Sequence, residues 1–241
     1  LPALIRRFHE AKVEGKETVT CWGDGGGECS AFEALPSLFF AAEYVNGNTD
    51  MDAIKTKFAE AFGISFDDFM LFDQVTREET EAFYLSPLKY LLYNDPFLGF
   101  LDSTIPEGCA AEFAEVAELT EALVKHPRWG YLFDTNHRLC KAVSAKCDVG
   151  MKIREAYRAG DKARLKEYAA ELRKIHGLVQ EFYLAFERQW MRENKAFGFE
   201  IQDIRIGGAM TRLLHCADRL ERYADGKDGK IEELEGEMLD V

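Results

Sequence analysis

Apolar residues recur at alternating spacings of three and four along the second half of the chain, and this spacing predicts long helices. After Asp161, which can cap a helix, the series runs through Leu165, Tyr168, Leu172, Ile175, Val179, Phe182 and Phe186. A similar series precedes it and consists of Leu139, Val143, Gly150, Ile153 and Tyr157. With Ala159 and Gly160 as the turn, residues 131–190 predict an antiparallel helical hairpin, the frame of a bundle.

Most of the remaining chain also predicts helices. The spans expected to be helical are 2–14, 30–46, 50–62, 65–71, 109–125, 206–223 and 230–239. Pro87, Pro96 and Pro106 divide residues 84–106 into short helical turns, because proline interrupts helices. Only residues 18–22, a β-favouring run, predict a strand, so the expected fold class is mainly α.

The predicted strand ends in a polar, glycine-rich corner that holds Trp22, Asp24 and Glu28. In a parallel β/α barrel, side chains at the carboxyl ends of strands face the active site. A tryptophan beside carboxylates suits a sugar, since the indole packs on the ring and the carboxylates bind hydroxyls. The alternative is a structural turn with Trp22 in the core. A phosphate site is disfavoured, because both carboxylates would repel phosphate and no P-loop Lys-Ser/Thr follows.

Two further segments concentrate polar and aromatic residues. Residues 193–205 are expected to be either a helix–helix connection whose charges pair with one another or a loop that contacts a ligand or another domain. Residues 93–99 contain an Asn-Asp-Pro turn, which suits a docking surface or a turn that covers the core. The sequence does not separate these alternatives.

The net charge of −13 and pI of about 4.9 argue against nucleic acid or an anionic membrane as the main partner. No apolar run approaches the roughly 20 residues of a membrane span. None of the six cysteines lies in a C-x-x-C pair, and the five histidines match no catalytic or metal pattern. We therefore expect buried thiols in a reducing cytoplasm, with no metal and no cofactor.

Residues 18–47 resemble the last strand and helix of the catalytic barrel in family 20 glycoside hydrolases, the exo-β-N-acetylhexosaminidases. Trp22, Gly23 and Asp24 match the Trp-Gly-Glu or Trp-Gly-Asp that ends their final strand. Residues 93–102 (YNDPFLGFLD) and 193–208 (ENKAFGFEIQDIRIGG) are similar to the helical C-terminal domain of one bacterial branch. The resemblance implies the last helix-strand-helix unit of a TIM-type (β/α)8 barrel over 1–47. A helical C-terminal domain would follow over 48–241, with connecting helices in 48–80 and a bundle in 81–241.

The resemblance also implies an activity for a longer parent enzyme. Family members remove terminal N-acetylhexosamine from glycans with retention, and the substrate's own acetamido oxygen is the nucleophile. An adjacent Asp-Glu pair orients the acetamido group and acts as general acid. By the resemblance, Trp22 walls the sugar pocket and Asp24 binds sugar hydroxyls, while Glu28 has no counterpart but lies nearby.

This chain contains no Asp-Glu dipeptide, so we expect its catalytic residues to lie outside it. The chain, which starts without Met, is expected to be cut from a longer protein and to be inactive alone. The alternative is a free-standing helical interaction module without catalysis, forming a homodimer through the helical hairpin.

Overall fold

The structure is a computed structural model that describes residues 30–74 and 91–236. Two compact units are present, Leu1–Gln74 and Val75–Val241. The described residues form helices and turns but no strand, which confirms a mainly helical chain. The predicted helix 2–14, strand 18–22 and residues 84–90 lie outside the described part. The domain boundaries expected at residues 47 and 80 stay predictions.

The described α-helices, in chain order, are α1 Leu35–Val45, α2 Met51–Phe62, α3 Phe66–Phe69, α4 Leu71–Gln74, α5 Cys109–Glu121, α6 Gly130–Lys146, α7 Val149–Arg158, α8 Lys162–Glu193, α9 Phe199–Ala224 and α10 Glu232–Glu235. Three short 3-10 segments accompany them, at Ala31–Ala34, Asp102–Thr104 and Ala122–Lys125. Residues 91–93 are also helical. None of the described helices has the length and apolar character to cross a membrane.

The first unit is organised by caps and by an aromatic core. Ser30 forms a capping box with Glu33, and the Asp50 side chain accepts from the first amides of α2. Phe58 of α2 is fully buried, and the rings of four further phenylalanines surround it at centroid distances of 4.6 to 5.9 Å. The helices predicted over 30–46 and 50–62 are therefore confirmed.

The second unit is built around α8, which packs against α6, α7 and α9. Asp161 accepts from the Arg164 amide at 2.9 Å and caps α8, as its sequence position predicts. Every member of the series from Leu165 to Phe186 is buried in this packing. The hairpin is confirmed, but its first arm is two helices, because the chain turns at residues 147–148 between α6 and α7.

Two other details differ from the expected spans. Helix α9 begins at Phe199, ahead of the predicted residue 206, because Gly198 adopts a left-handed φ of 97° at its start and Glu200 accepts from the Gly198 amide. In the described part of the C-terminal segment, α10 covers only Glu232–Glu235 of the helix expected over 230–239. Cys109, Cys140, Cys147 and Cys216 are buried thiols, as expected.

Candidate functional site

The sugar-binding residues suggested by the sequence, Trp22, Asp24 and Glu28, lie outside the described residues, and their roles stay predictions. Within the second unit, the two segments similar to family 20 enzymes approach each other. The guanidinium of Arg205 lies over the Tyr93 ring, 5.1 Å from its centroid. The site described below is therefore the 91–102 segment together with the helices that hold it.

The first helix to hold this segment is α6, through Lys146. The Lys146 ammonium donates to the carbonyl oxygens of Leu91 at 3.0 Å and Asn94 at 2.5 Å. The side chain is buried, and this burial lowers the pKa of Lys146 to about 8, with Asp95 partly opposing the shift. A buried ammonium needs such acceptors, so the backbone of the segment is fixed in place.

Arg154 of α7 holds the middle of the segment. Its Nη1 donates to the carbonyl oxygens of Pro96 and Phe97, at 3.1 Å each, and its guanidinium forms a buried ion pair with Asp102. The Asn94 amide donates to the other carboxylate oxygen of Asp102 at 2.8 Å. The charges of Arg154 and Asp102 are thus compensated by each other and by polar neighbours, as buried charges require.

Gly99 and Gly150 make this arrangement sterically feasible. Gly99 has a φ of 58°, and a Cβ there would lie 2.5 to 2.7 Å from the Arg154 guanidinium. A Cβ on Gly150 of α7 would lie 2.9 Å from the Pro96 carbonyl oxygen. Both glycines therefore permit close approach of the segment to α7.

Arg212 of α9 is, after Lys146 and Arg154, the third of the described cations that donate hydrogen bonds to the segment. It donates to both carboxylate oxygens of Asp95, from Nε at 2.7 Å and from Nη2 at 3.2 Å. Asp95 also accepts from the amides of Phe97 and Leu98. Burial alone would raise the pKa of Asp95, but the bonds from Arg212 and the two amides outweigh it and lower that pKa.

A cleft of about 230 Å³ lies between residues 92–96, Lys146 and residues 205–213 of α9. Asn94 and Phe97 are buried, so residues 93–99 form a turn that covers the core, one of the two alternatives left open by the sequence. Residues 194–198 connect α8 and α9, as one of the two alternatives for 193–205 expects, and contact of this segment with a ligand or another domain stays a prediction. In that region Asp203 accepts from the Tyr183 hydroxyl at 2.7 Å, and the Lys195 carbonyl accepts from Trp190 at 2.8 Å.

Comparison with known proteins places this helical unit in a family. Residues 65–241, nearly three quarters of the chain, match the family described as Glycoside Hydrolase 20C C-terminal domain. The chain belongs to this family. The resemblance of residues 93–102 and 193–208 predicted that the chain is the C-terminal portion of a family 20 enzyme. The family match confirms this prediction.

One curated protein is similar to the chain over a short stretch. GDP-L-fucose synthase 1 from Arabidopsis thaliana is 72% identical over 25 residues, which are 10% of this chain and 8% of the synthase. The chain thus covers far less than two thirds of the synthase. A match of this length carries no conclusion about the fold or activity of the glycoside hydrolase 20C C-terminal domain.

The sequence reasoning did not single out Lys146, Arg154 or Arg212, the cations that hold this part of the family domain. One signal was available, because Lys146 follows Val143 by three residues and precedes Gly150 by four, so it stands on the apolar stripe. Arg212 offers no such signal, since its partner Asp95 is 117 residues away. Within residues 30–74 and 91–236, no group of three or more His, Cys, Asp and Glu could hold a metal ion.

Proposed function

We propose that the chain is the C-terminal portion of an exo-β-N-acetylhexosaminidase that removes terminal N-acetylhexosamine from glycans. The match of residues 65–241 to the glycoside hydrolase 20C C-terminal domain is the observation that supports this proposal. The parent would act in the cytoplasm, consistent with the four buried thiols of the described part.

The parent reaction would be a retaining, substrate-assisted hydrolysis. The acetamido oxygen attacks the anomeric carbon, a carboxylate pair orients the acetamido group and protonates the leaving oxygen, and water then opens the intermediate. Trp22 would pack on the sugar ring, and Asp24, with Glu28 nearby, would bind its hydroxyls. This chain has no Asp-Glu dipeptide, and loss of a general acid alone costs about two to four orders of magnitude in rate.

The helical domain itself would act as a rigid support. Lys146, Arg154 and Arg212 come from three different helices and bind the same 91–102 segment. Each contact joins a charged donor to a carbonyl or carboxylate oxygen, the stronger class of hydrogen bond. A segment held in this way can present a fixed surface, as functional sites require.

The test compares the 241-residue chain with the full product of its reading frame on a chromogenic N-acetylglucosaminide. We expect hydrolysis by the full product and none by the chain alone. In the full product, Trp22→Ala and Asp24→Asn should lower kcat/KM by tenfold or more, whereas Glu33→Gln, at a helix cap, should not. Hydrolysis by the isolated chain would refute its inactivity, and an inactive full product would refute the hexosaminidase assignment.

A second candidate function is self-association through the helical domain, without catalysis. The hairpin series expected to support a dimer is buried inside the chain, so a dimer would need another surface. Phe197, Ile201 and Ile204 are exposed by 87%, 51% and 71% and would supply it. Light scattering should then give a dimer mass for the chain and a monomer mass for Ile204→Glu. A monomer at all accessible concentrations would exclude this candidate.

A further inference from the structure

The cleft beside α9 carries an unusual charge for this molecule. Among the described residues, three cationic side chains line it, Lys146, Arg205 and Arg212, together with one carboxylate, that of Asp95. That carboxylate accepts from Arg212 and from two backbone amides, and Arg212 also lies 3.6 Å from the carboxylate of Glu233, outside the cleft lining. The chain as a whole carries a net charge of −13, so a locally cationic cleft is the reverse of its average surface.

A second cleft in the same unit provides a comparison. It is lined by Asp102, Glu155, Arg154 and Arg158, together with Ser103 and Met151. In the described lining, the two carboxylates balance the two guanidinium groups and leave no net formal charge. The excess of positive charge is therefore a property of the cleft beside α9 rather than of both clefts.

Lys146 lines the cationic cleft and has more N–H donors than described hydrogen bonds. An ammonium group has three N–H donors, and two of them go to the carbonyl oxygens of Leu91 and Asn94. No described hydrogen bond uses the third, and the side chain lines the cleft. A buried donor of this kind is costly to leave without an acceptor, so an anion in the cleft would be stabilised by it.

The shape of the cleft limits the size of its ligand. Its volume of about 230 Å³ lies below the roughly 300 to 1,000 Å³ of sites for drug-sized molecules. Gly208 contributes to the wall, and a Cβ there would meet no atom within 4 Å. Glycine inside a helix is less favourable than alanine, and no packing contact of Gly208 requires a glycine there. What Gly208 does provide is open space in the cleft.

We propose that this cleft binds a small oxyanion, a sulfate or phosphate group that is either free or esterified to a sugar. Lys146 would bind the anion from α6, and Arg205 and Arg212 would bind it from α9. Guanidinium groups suit this ligand because their planar donors match two oxyanion oxygens at once.

Anion binding at Lys146 should be coupled to proton uptake. The pKa of Lys146 is about 8 in the free protein because of burial, so at about pH 8.5 more than half of the side chains are neutral. A bound sulfate raises that pKa and draws a proton from the solvent. Of the described groups, Asp95, Cys147 and Cys216 interact electrostatically with Lys146, and Arg205 and Arg212 line the same cleft. Cys147 is present in both the unchanged chain and the Lys146→Met variant. Any contribution of Cys147 to proton uptake therefore cancels when the two are compared.

The experiment is calorimetric titration of the full 241-residue chain with sodium sulfate at low ionic strength, near pH 8.5, in two buffers with different ionisation enthalpies. Sulfate is fully ionised there, so any proton taken up from the buffer on binding is bound by the protein. We expect uptake of about half a proton per sulfate by the unchanged chain and none by Lys146→Met.

Two glycine variants test the location without touching a charge. Gly207 and Gly208 are neighbours on α9, and both have open space for a Cβ, but only Gly208 lines the cleft. We expect Gly208→Leu to weaken sulfate binding at least tenfold and Gly207→Leu to change it less than twofold. Absence of binding, equal effects of the two substitutions, or binding without proton uptake would each overturn the proposal.

Titration with N-acetylglucosamine 6-sulfate distinguishes a sugar-borne anion from the free ion. This part of the experiment rests on the proposed hexosaminidase function. Affinity at least tenfold above that of free sulfate indicates a sugar-borne anion, and equal affinity indicates the free ion. Neither titration needs glycosidase activity, so an inactive parent enzyme would leave the sulfate result unaffected.

Discussion

Asp95 and Arg212 form a two-bond ion pair that joins the 91–102 segment to α9 across 117 residues of sequence. The Asp95 and Arg212 side chains are only 18% and 25% exposed, so the pair is partly shielded from water. Such a pair is expected to contribute more than an exposed ion pair and less than a fully buried one. The contact thus attaches the 91–102 segment to α9 with an energy that can be measured.

A double-mutant cycle with Asp95→Asn and Arg212→Met should give a coupling energy of about 1–2 kcal/mol by urea unfolding. Asparagine keeps an oxygen for the Phe97 and Leu98 amides, so the cycle isolates the ion pair. The exposed pair of Arg138 and Glu181 between α6 and α8 is the control and should couple more weakly. Equal coupling energies for the two pairs would contradict the special position of Asp95.

Lys146 should make stability depend on alkaline pH. Its folded pKa of about 8 lies below the unfolded value of 10.5, so the unfolded chain binds more protons between these values. Stability therefore rises with pH through that window, by about 1–2 kcal/mol between pH 8 and 9.5. This gain should be present in the unchanged chain and in Lys141→Met, an exposed control on α6, and absent in Lys146→Met.

Lys146→Met should also be less stable than the unchanged chain at neutral pH, because the carbonyls of Leu91 and Asn94 lose their donor. Each unpaired buried acceptor costs about 1–3 kcal/mol. Chemical unfolding of both proteins across the pH series separates the two effects. A pH-independent difference between them would show that Lys146 does not titrate in this window.

Much of the helical fold could be predicted, because local signals decided it. The cap at Asp161 and the apolar spacing from Leu165 to Phe186 act within a few residues and lead directly to α8. The division between α6 and α7 was not predicted, since the apolar stripe continues through it. The grouping of the cations was not predicted from the sequence either, because the contacts of Lys146 and Arg212 join positions more than 50 residues apart.

Gly99→Ala should destabilise the chain more than Gly160→Ala does. Both glycines have a left-handed φ, 58° and 67°, which costs other residues about 1–2 kcal/mol. A Cβ on Gly160 would meet nothing, whereas one on Gly99 would displace the Arg154 guanidinium from the Pro96 and Phe97 carbonyls. The unfolding free energies of the two variants measure the difference. Equal losses would mean that Arg154 moves aside at no cost.

Tyr157→Phe should release the C-terminal turn while leaving the bundle folded. The Tyr157 hydroxyl donates to Glu235 at 2.5 Å and accepts from the buried amide of Ile231 at 3.0 Å. Burial, together with the bond to Glu235, raises the pKa of Tyr157 to about 12, so the hydroxyl remains a donor at neutral pH. Phenylalanine keeps the ring contact with Tyr223 but leaves the Ile231 amide without its acceptor.

The loss of that acceptor costs about 1–3 kcal/mol, which corresponds to roughly 5- to 150-fold faster exchange of the Ile231 amide. Hydrogen exchange measured on residues 229–236 provides the readout, with residues of α8 as the internal reference. Tyr183→Phe is the matched control, because its hydroxyl bonds to Asp203 on an exposed surface and should leave Ile231 unchanged. If Tyr157→Phe accelerates α8 and Ile231 equally, the hydroxyl supports the whole bundle. If it accelerates Ile231 alone, Tyr157 is the local attachment point of α10.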